Sequence, residues 1–276
     1  MSTPVAILAE QRSLWGTAPR DWAELAEPEN VPLYERMLDA AGIGGGAPVR
    51  ERAAVLLDVG CGSGLLCQLA ARRRFDVSGI DICPALLEIA RERTPGADLR
   101  EGDLAALPFA ADSSDVVTGA NAFQFAPDAA EGFAEASRVL RRGGRLVAAV
   151  FAEPERNEGT VFHLAMKRLV EQVEGRQDDG YAPYALSVAG GLEQAVADAG
   201  LTVREAGEVP VSWRYADRDS TLRALLCSAG GARAVRITGR GRVVAALTEA
   251  MAQFTGPDGV VTIRNLFRYV VGQREQ

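Results

Sequence analysis

Three glycines at alternate positions, Gly60, Gly62 and Gly64, follow the apolar run Leu56-Leu57-Asp58-Val59 and open a helical pattern. Glycine lets a backbone turn tightly and approach a ligand, and a helix start presents unpaired N–H groups. The spacing is GxGxG. A dinucleotide site would use GxGxxG and seat a pyrophosphate on the helix N-terminus. Here Asp58 precedes the turn, and a carboxylate repels phosphate and attracts a cation. A cofactor with an ammonium group and no phosphate suits that pattern. Asp81 ends the next apolar run, 21 positions after Gly60, where a carboxylate can accept from both ribose hydroxyls. The third run leads into Gly102-Asp103-Leu104. Asp103 is placed there to accept from an exocyclic amine, and the Leu104 N–H to bond the base. Asn121 follows the fourth run. Together with Cys61 and Ile82, these residues describe a pocket for a nucleoside-bearing cofactor.

Such residues meet only if strands and helices alternate so that every strand ends at one edge. Apolar, β-branched runs predict strands at 55–58, 76–81, 98–101, 115–120 and 145–151, with helices at 65–73, 84–93 and 128–140 between them. In the last helix Ala129, Phe133, Ala136, Val139 and Leu140 recur at helical spacing, and Arg141-Arg142-Gly143-Gly144 reads as its C-cap. The alternation predicts an α/β fold, a doubly wound, mostly parallel sheet covered on both faces. Residues 1–50 read instead as a helical N-terminal cap. After the fifth strand an insertion at about 152–190 holds a helix at 160–173 and a polar loop. A helix at 192–199, a strand at 201–212, a helical stretch at 217–254 broken at Gly230-Gly231 and Gly239, and a strand at 260–271 complete the chain.

Leu57-Asp58-Val59-Gly60-Cys61-Gly62-Ser63-Gly64 resembles motif I of the class I S-adenosylmethionine-dependent methyltransferases. Asp81 matches the acidic residue that family sets on the ribose, and Gly102-Asp103-Leu104 with Pro108-Phe109 resembles its adenine-binding segment. Leu140 to Leu146 resembles the lead into its fifth strand. The resemblance covers roughly residues 53–151 and is nearest to the ubiquinone-biosynthesis-like, type 11 subgroup of small-molecule enzymes. It implies S-adenosylmethionine as cofactor and a seven-stranded sheet whose last strand, 260–271, is antiparallel. It places a methyltransferase domain at 51–276. Enzymes that methylate nucleobase amines tend to carry Asn/Asp-Pro-Pro-Tyr/Phe after strand four, whereas this chain has Asn121-Ala122-Phe123-Gln124.

Methyl transfer from a sulfonium is an in-line displacement, so the protein chiefly aligns the nucleophile and excludes water. An alcohol or acidic C–H acceptor would gain from a general base. The single histidine, His163, lies on the helix after strand five, and imidazole titrates near pH 6.5. It is the candidate base, against the alternative of an ordinary helical histidine. Phe123 and Phe125 after strand four, Tyr181 and Tyr184 in the polar loop, and Trp15 and Trp22 in the N-terminal cap are the candidate acceptor-site residues. Core packing is the competing reading for the phenylalanines, and anchoring of the cap for the tryptophans.

Composition bounds the partners. The net charge is −7 and the pI about 5.0, which opposes a nucleic acid partner. No apolar run reaches bilayer length, and residues 1–10 lack the features of a secretory signal. The four cysteines form no CxxC pair, so reduced thiols, a cytoplasmic protein and no metal are expected. The expected function is methylation of a small organic acceptor in specialised metabolism by a monomer or homodimer. The alternatives are a cyclisation or decarboxylation on the same fold with the cofactor structural, a nicotinamide oxidoreductase, and a binding module or protein methyltransferase.

Overall fold

A computed structural model describes residues 3–42, 53–175, 184 and 186–276. The parallel strands are β1 Val55–Val59, β2 Asp76–Asp81, β3 Asp98–Glu101, β4 Ser114–Ala120 and β5 Leu140–Phe151. The helices between them are α4 Leu65–Arg72, α5 Pro84–Arg93 and α6 Ala129–Val139. Ahead of β1 lie α1 Pro4–Trp15, the short α2 Pro19–Asp21, a π-turn Trp22–Ala26 and α3 Val31–Ala40. After β5 come α7 Thr160–Glu174, α8 Gly191–Asp198, β6 Thr202–Tyr215, α9 Arg218–Leu226, α10 Ala229–Thr238, α11 Arg240–Met251 and β7 Val261–Gln273.

The strands form one seven-stranded sheet in the order β3-β2-β1-β4-β5-β7-β6. β7 runs antiparallel to both neighbours, as the resemblance implied. The order reverses between β1 and β4, and a crevice opens at the carboxyl ends of strands where that happens. β1 is buried on both faces, which is why its sequence reads as a continuous apolar run interrupted only by Asp58. The register sets Asp58 beside Thr118 of β4, so that this one polar residue finds a partner inside the sheet.

Two apolar clusters cover the two faces, α3 and α4 on one side and α6 and α8 on the other. A third cluster stands apart. It joins α7 to α9, α10 and α11 and takes in Trp22 and Ala26 from the N-terminal segment. β5 ends at Phe151 opposite Phe267, but β6 and β7 stay paired as far as Tyr215 and Val261. That overhang carries the third cluster out over the carboxyl edge of the sheet. The structure over that edge therefore includes the helices between β6 and β7 as well as the insertion after β5.

Two local expectations change. The Arg141–Gly144 stretch does not cap α6, which stops at Val139; it forms the start of β5, with Gly143 turned to φ 77° and its N–H donated to Arg274 O. Gly230-Gly231 does not break the helical stretch. The break is at Cys227-Ser228, where the Ser228 hydroxyl caps α10 by accepting the Gly231 N–H. Gly231 is there for packing, because a Cβ would stand 2.4 Å from Leu225 O and 2.7 Å from Leu226 Cα. Backbone cannot retreat as a side chain can. Gly231→Ala is expected to cost roughly 2 kcal/mol, read as a melting temperature several degrees lower.

Candidate active site

The turn after β1 is built on the end of β2. The N–H groups of Gly60 and Cys61 both donate to Ile80 O, at 2.8 and 3.0 Å. Gly60, Gly62 and Gly64 all have positive φ, at 70°, 53° and 82°, which L side chains seldom adopt. A Cβ on Gly60 would sit 2.6 Å from Ala122 Cβ, and one on Gly64 2.7 Å from Ala90 Cβ. The outer glycines thus also serve close packing. Gly62 is not crowded in this way: a Cβ there would lie at ordinary contact distance, 3.5 Å, from both Glu27 Oε1 and Trp22 Nε1.

Asp81 is tied into this turn. Its Oδ2 accepts the Gly62 N–H and its Oδ1 the Cys83 N–H, each at 2.8 Å. Burial raises its pKa, and those backbone bonds hold the rise back. Asp58 lies beneath the turn, 3% exposed. Its Oδ1 accepts from Thr118 Oγ1 at 2.7 Å and its Oδ2 from Cys67 Sγ at 3.7 Å. Desolvation outweighs both bonds, and with repulsion from Glu27 and Asp81 the carboxyl is pushed up to about 7. Asp103, after β3, accepts the Ala105 N–H at 2.9 Å, and its wall continues through Leu104. Asn121, at φ 51°, ends β4; its N–H donates to Ala149 O and its Oδ1 accepts from Gln124 Nε2.

Asp58, Gly60, Gly62, Asp81, Asp103, Leu104 and Asn121 line one cavity of about 240 Å³, together with Cys61 and Ile82. Its far side is aromatic and apolar: Trp15, Phe125, Phe151, Phe162, Met166, Tyr184, Trp213, Tyr215 and Leu225. His163 belongs to that wall and meets the Tyr184 ring edge-on, centroids 5.9 Å apart. The Tyr184 hydroxyl lies 2.7 Å from Thr160 Oγ1, and burial raises its pKa. Trp15 packs edge-on against Trp22 at 5.0 Å and Phe125 at 5.9 Å. The charged residues of the wall are Glu27, Asp58, Asp81 and Asp103; among the described residues it holds no Lys or Arg.

Phe123 does not reach the cavity. It is 1% exposed and stacks on Phe133 at 4.1 Å. The turn Phe123–Phe125 winds as a 3-10 helix, which turns neighbouring side chains apart and leaves Phe125 facing the cavity. Tyr181 lies outside the described residues. Sequence reasoning missed Glu27, Met166, Trp213, Tyr215 and Leu225. A carboxylate in a stretch that reads as polar helix gives no local sign of burial, yet Glu27 is 3% exposed. It accepts from Ser63 Oγ and from the Arg93 guanidinium.

A protein family described as a methyltransferase domain matches residues 57–148. That stretch runs from β1 into β5 and holds the glycine turn, Asp81, Asp103 and Asn121. It is a methyltransferase domain. Domains of this family take S-adenosylmethionine as cofactor. Among curated relatives, an uncharacterized protein of Mycobacterium tuberculosis is 35% identical over 144 residues, 51% of this chain and 49% of the relative. A demethylmenaquinone methyltransferase of Renibacterium salmoninarum is 31% identical over 130 residues, 47% of this chain and 55% of the relative. The chain thus spans about half the length of the curated relatives it matches. Among solved structures, a candidate methyltransferase of Bacillus halodurans has TM-score 0.57 at 17% identity, covering 88% of this chain and 99% of that one. The cyclase SpnF has TM-score 0.53 at 16% identity, covering 88% of this chain and 81% of that one. Both likenesses speak to the fold.

The residues of the methyltransferase domain fit this cofactor. Carboxylates stand at the ends of β2 and β3, where a ribose and an exocyclic amine would donate. The middle glycine leaves the turn open. Over it the Trp22 indole N–H is buried without an acceptor among the described residues, the kind of orphan that a polar ligand satisfies.

Proposed function

We propose that this chain transfers a methyl group from S-adenosylmethionine to a small, flat and largely apolar organic acceptor. One observation carries the reading: a single cavity joins the glycine turn and its carboxylates to an aromatic chamber that contains His163. The cofactor supplies an electrophilic methyl on a good leaving group. The protein's part is geometric. Asp81 and Asp103 hold the nucleoside, the turn holds the amino-acid tail, and the aromatic wall aligns the acceptor and excludes water. His163 would take the proton when the acceptor is a hydroxyl or acidic C–H. The relative named demethylmenaquinone methyltransferase supports a ring-bearing acceptor, which an aromatic wall would stack.

Calorimetric titration with S-adenosylhomocysteine tests the cofactor site, with micromolar binding expected. Transfer of a labelled methyl group across panels of phenols, quinols, amines and thiols then tests the acceptor, with ring hydroxyl or ring carbon methylation expected. Absence of S-adenosylhomocysteine binding overturns the reading. Turnover that persists when S-adenosylhomocysteine replaces S-adenosylmethionine assigns the fold a non-methylating reaction instead.

A further inference from the structure

Resting on that cofactor assignment, we propose that Trp22 and Glu27 of the N-terminal segment grip the two charged ends of the cofactor's amino-acid tail. Trp22 donates to its carboxylate and Glu27 accepts from its ammonium. Both residues lie outside the stretch that matches the methyltransferase domain.

Geometry comes first. The point where a Gly62 Cβ would stand is 3.5 Å from Trp22 Nε1 and 3.5 Å from Glu27 Oε1. A donor and an anionic acceptor therefore converge on one spot above the middle glycine. A zwitterion of an α-amino acid presents the complementary pair, a carboxylate acceptor and an ammonium donor carried by one α-carbon. The indole N–H has no partner among the described residues, and leaving a buried donor unmade costs about 1–3 kcal/mol. The ring itself is held by the edge-on contact with Trp15.

Local structure couples the two residues. The backbone between them is a π-turn, and the Glu27 N–H donates to Trp22 O across it. Such wide turns are rare and concentrate at functional sites. This one sets Trp22 and Glu27 a single winding apart, so both side chains look the same way. The segment is then clamped to the glycine turn. Glu27 Oε2 accepts from Ser63 Oγ and Arg93, while Arg93 also donates to Ala23 O at 2.6 Å and Ser63 O at 3.1 Å. These bonds of the clamp use Oε2, the Leu65 N–H also bonds the carboxylate, and Oε1 is the oxygen 3.5 Å from the Gly62 Cβ position in the cavity wall. Burial raises the Glu27 pKa, and Ser63 and Arg93 oppose that rise.

The test compares two probes on the whole chain. S-adenosylhomocysteine carries the charged tail; methylthioadenosine has the same nucleoside and sulfur without it. Trp22→Phe keeps the ring and removes the N–H. Calorimetry is expected to show about tenfold weaker S-adenosylhomocysteine binding with methylthioadenosine unchanged. Glu27→Gln is expected to show the same selective loss. Should that variant not fold, Trp22→Phe decides alone. Equal weakening of both probes, or no change in either, overturns the proposal and leaves the pair a structural clip. Failure of the unaltered protein to bind either probe overturns the cofactor assignment itself, a separate and visible result.

Discussion

Replacing Asp81 by alanine is expected to weaken S-adenosylhomocysteine binding by about a hundredfold, close to 2.7 kcal/mol. Two losses combine. The carboxylate would no longer accept from the ribose hydroxyls, and hydrogen bonds to a charged group contribute about 1.5–3 kcal/mol. The turn also loses an organiser, because the Gly62 and Cys83 N–H groups, each 2.8 Å from this carboxylate, keep no acceptor. A loosened turn binds the tail poorly too. Asp81→Asn retains one acceptor oxygen and sets an NH2 against a backbone N–H, so its loss falls between the two. Calorimetry on variants with confirmed cooperative melting separates affinity from unfolding. Unchanged affinity in the alanine variant removes Asp81 from the site.

Asp81 was legible because its place follows from the chain order of an α/β sheet. A strand is short, its end is marked by a loss of apolar residues, and the carboxyl ends share one edge. The glycine turn, Asp103 and Asn121 were legible for the same reason, and all reach the cavity wall. Residues whose place depends on other elements were not. Glu27 sits in Ala-Glu-Leu-Ala-Glu-Pro-Glu-Asn, which locally resembles a solvated turn; its burial comes from Ser63 and Arg93, both distant in sequence. Gly230-Gly231 looked like a helix break because glycine is a poor helix former. Contact with the backbone of Leu225 and Leu226 reverses that preference. The stretch 217–254 between β6 and β7 reads as helical, but what it packs against is not readable, because that depends on how far two strands continue past Phe151. Phe123 and Phe125 are two residues apart with one composition, and a single turn of 3-10 helix sends one to the core and the other to the cavity.

Asp58 gives the second large effect, and it depends on pH. Its folded pKa is about 7 against an ordinary 3.8, with desolvation as the first cause. A carboxyl raised in this way is protonated in the folded chain and ionised in the unfolded one across that interval. Its stabilising contribution is fully present below about 3.8 and is lost as pH rises through 7. The difference amounts to on the order of 4 kcal/mol at alkaline pH. Asp58→Asn keeps an oxygen for Thr118 and cannot ionise. Its melting temperature is expected to match that of the unaltered protein at about pH 4, to exceed it increasingly up to about pH 7, and to keep a steady margin above that. Glu27 and Asp81 face the same region, are also raised and repel Asp58, so the difference between the curves reports Asp58 together with its coupling to these two carboxyls. On the proposed function, the same charge that weakens the fold would serve the ligand. A cationic tail over the turn favours ionised Asp58, so S-adenosylhomocysteine affinity should rise roughly tenfold between pH 6 and 8 and stay flatter in Asp58→Asn. Parallel melting curves would show that Asp58 is ionised throughout. A matching rise in affinity in both proteins would place the ligand-linked proton on another group. Stability and affinity moving in opposite directions with pH is the signature of a carboxylate kept under the turn for its charge.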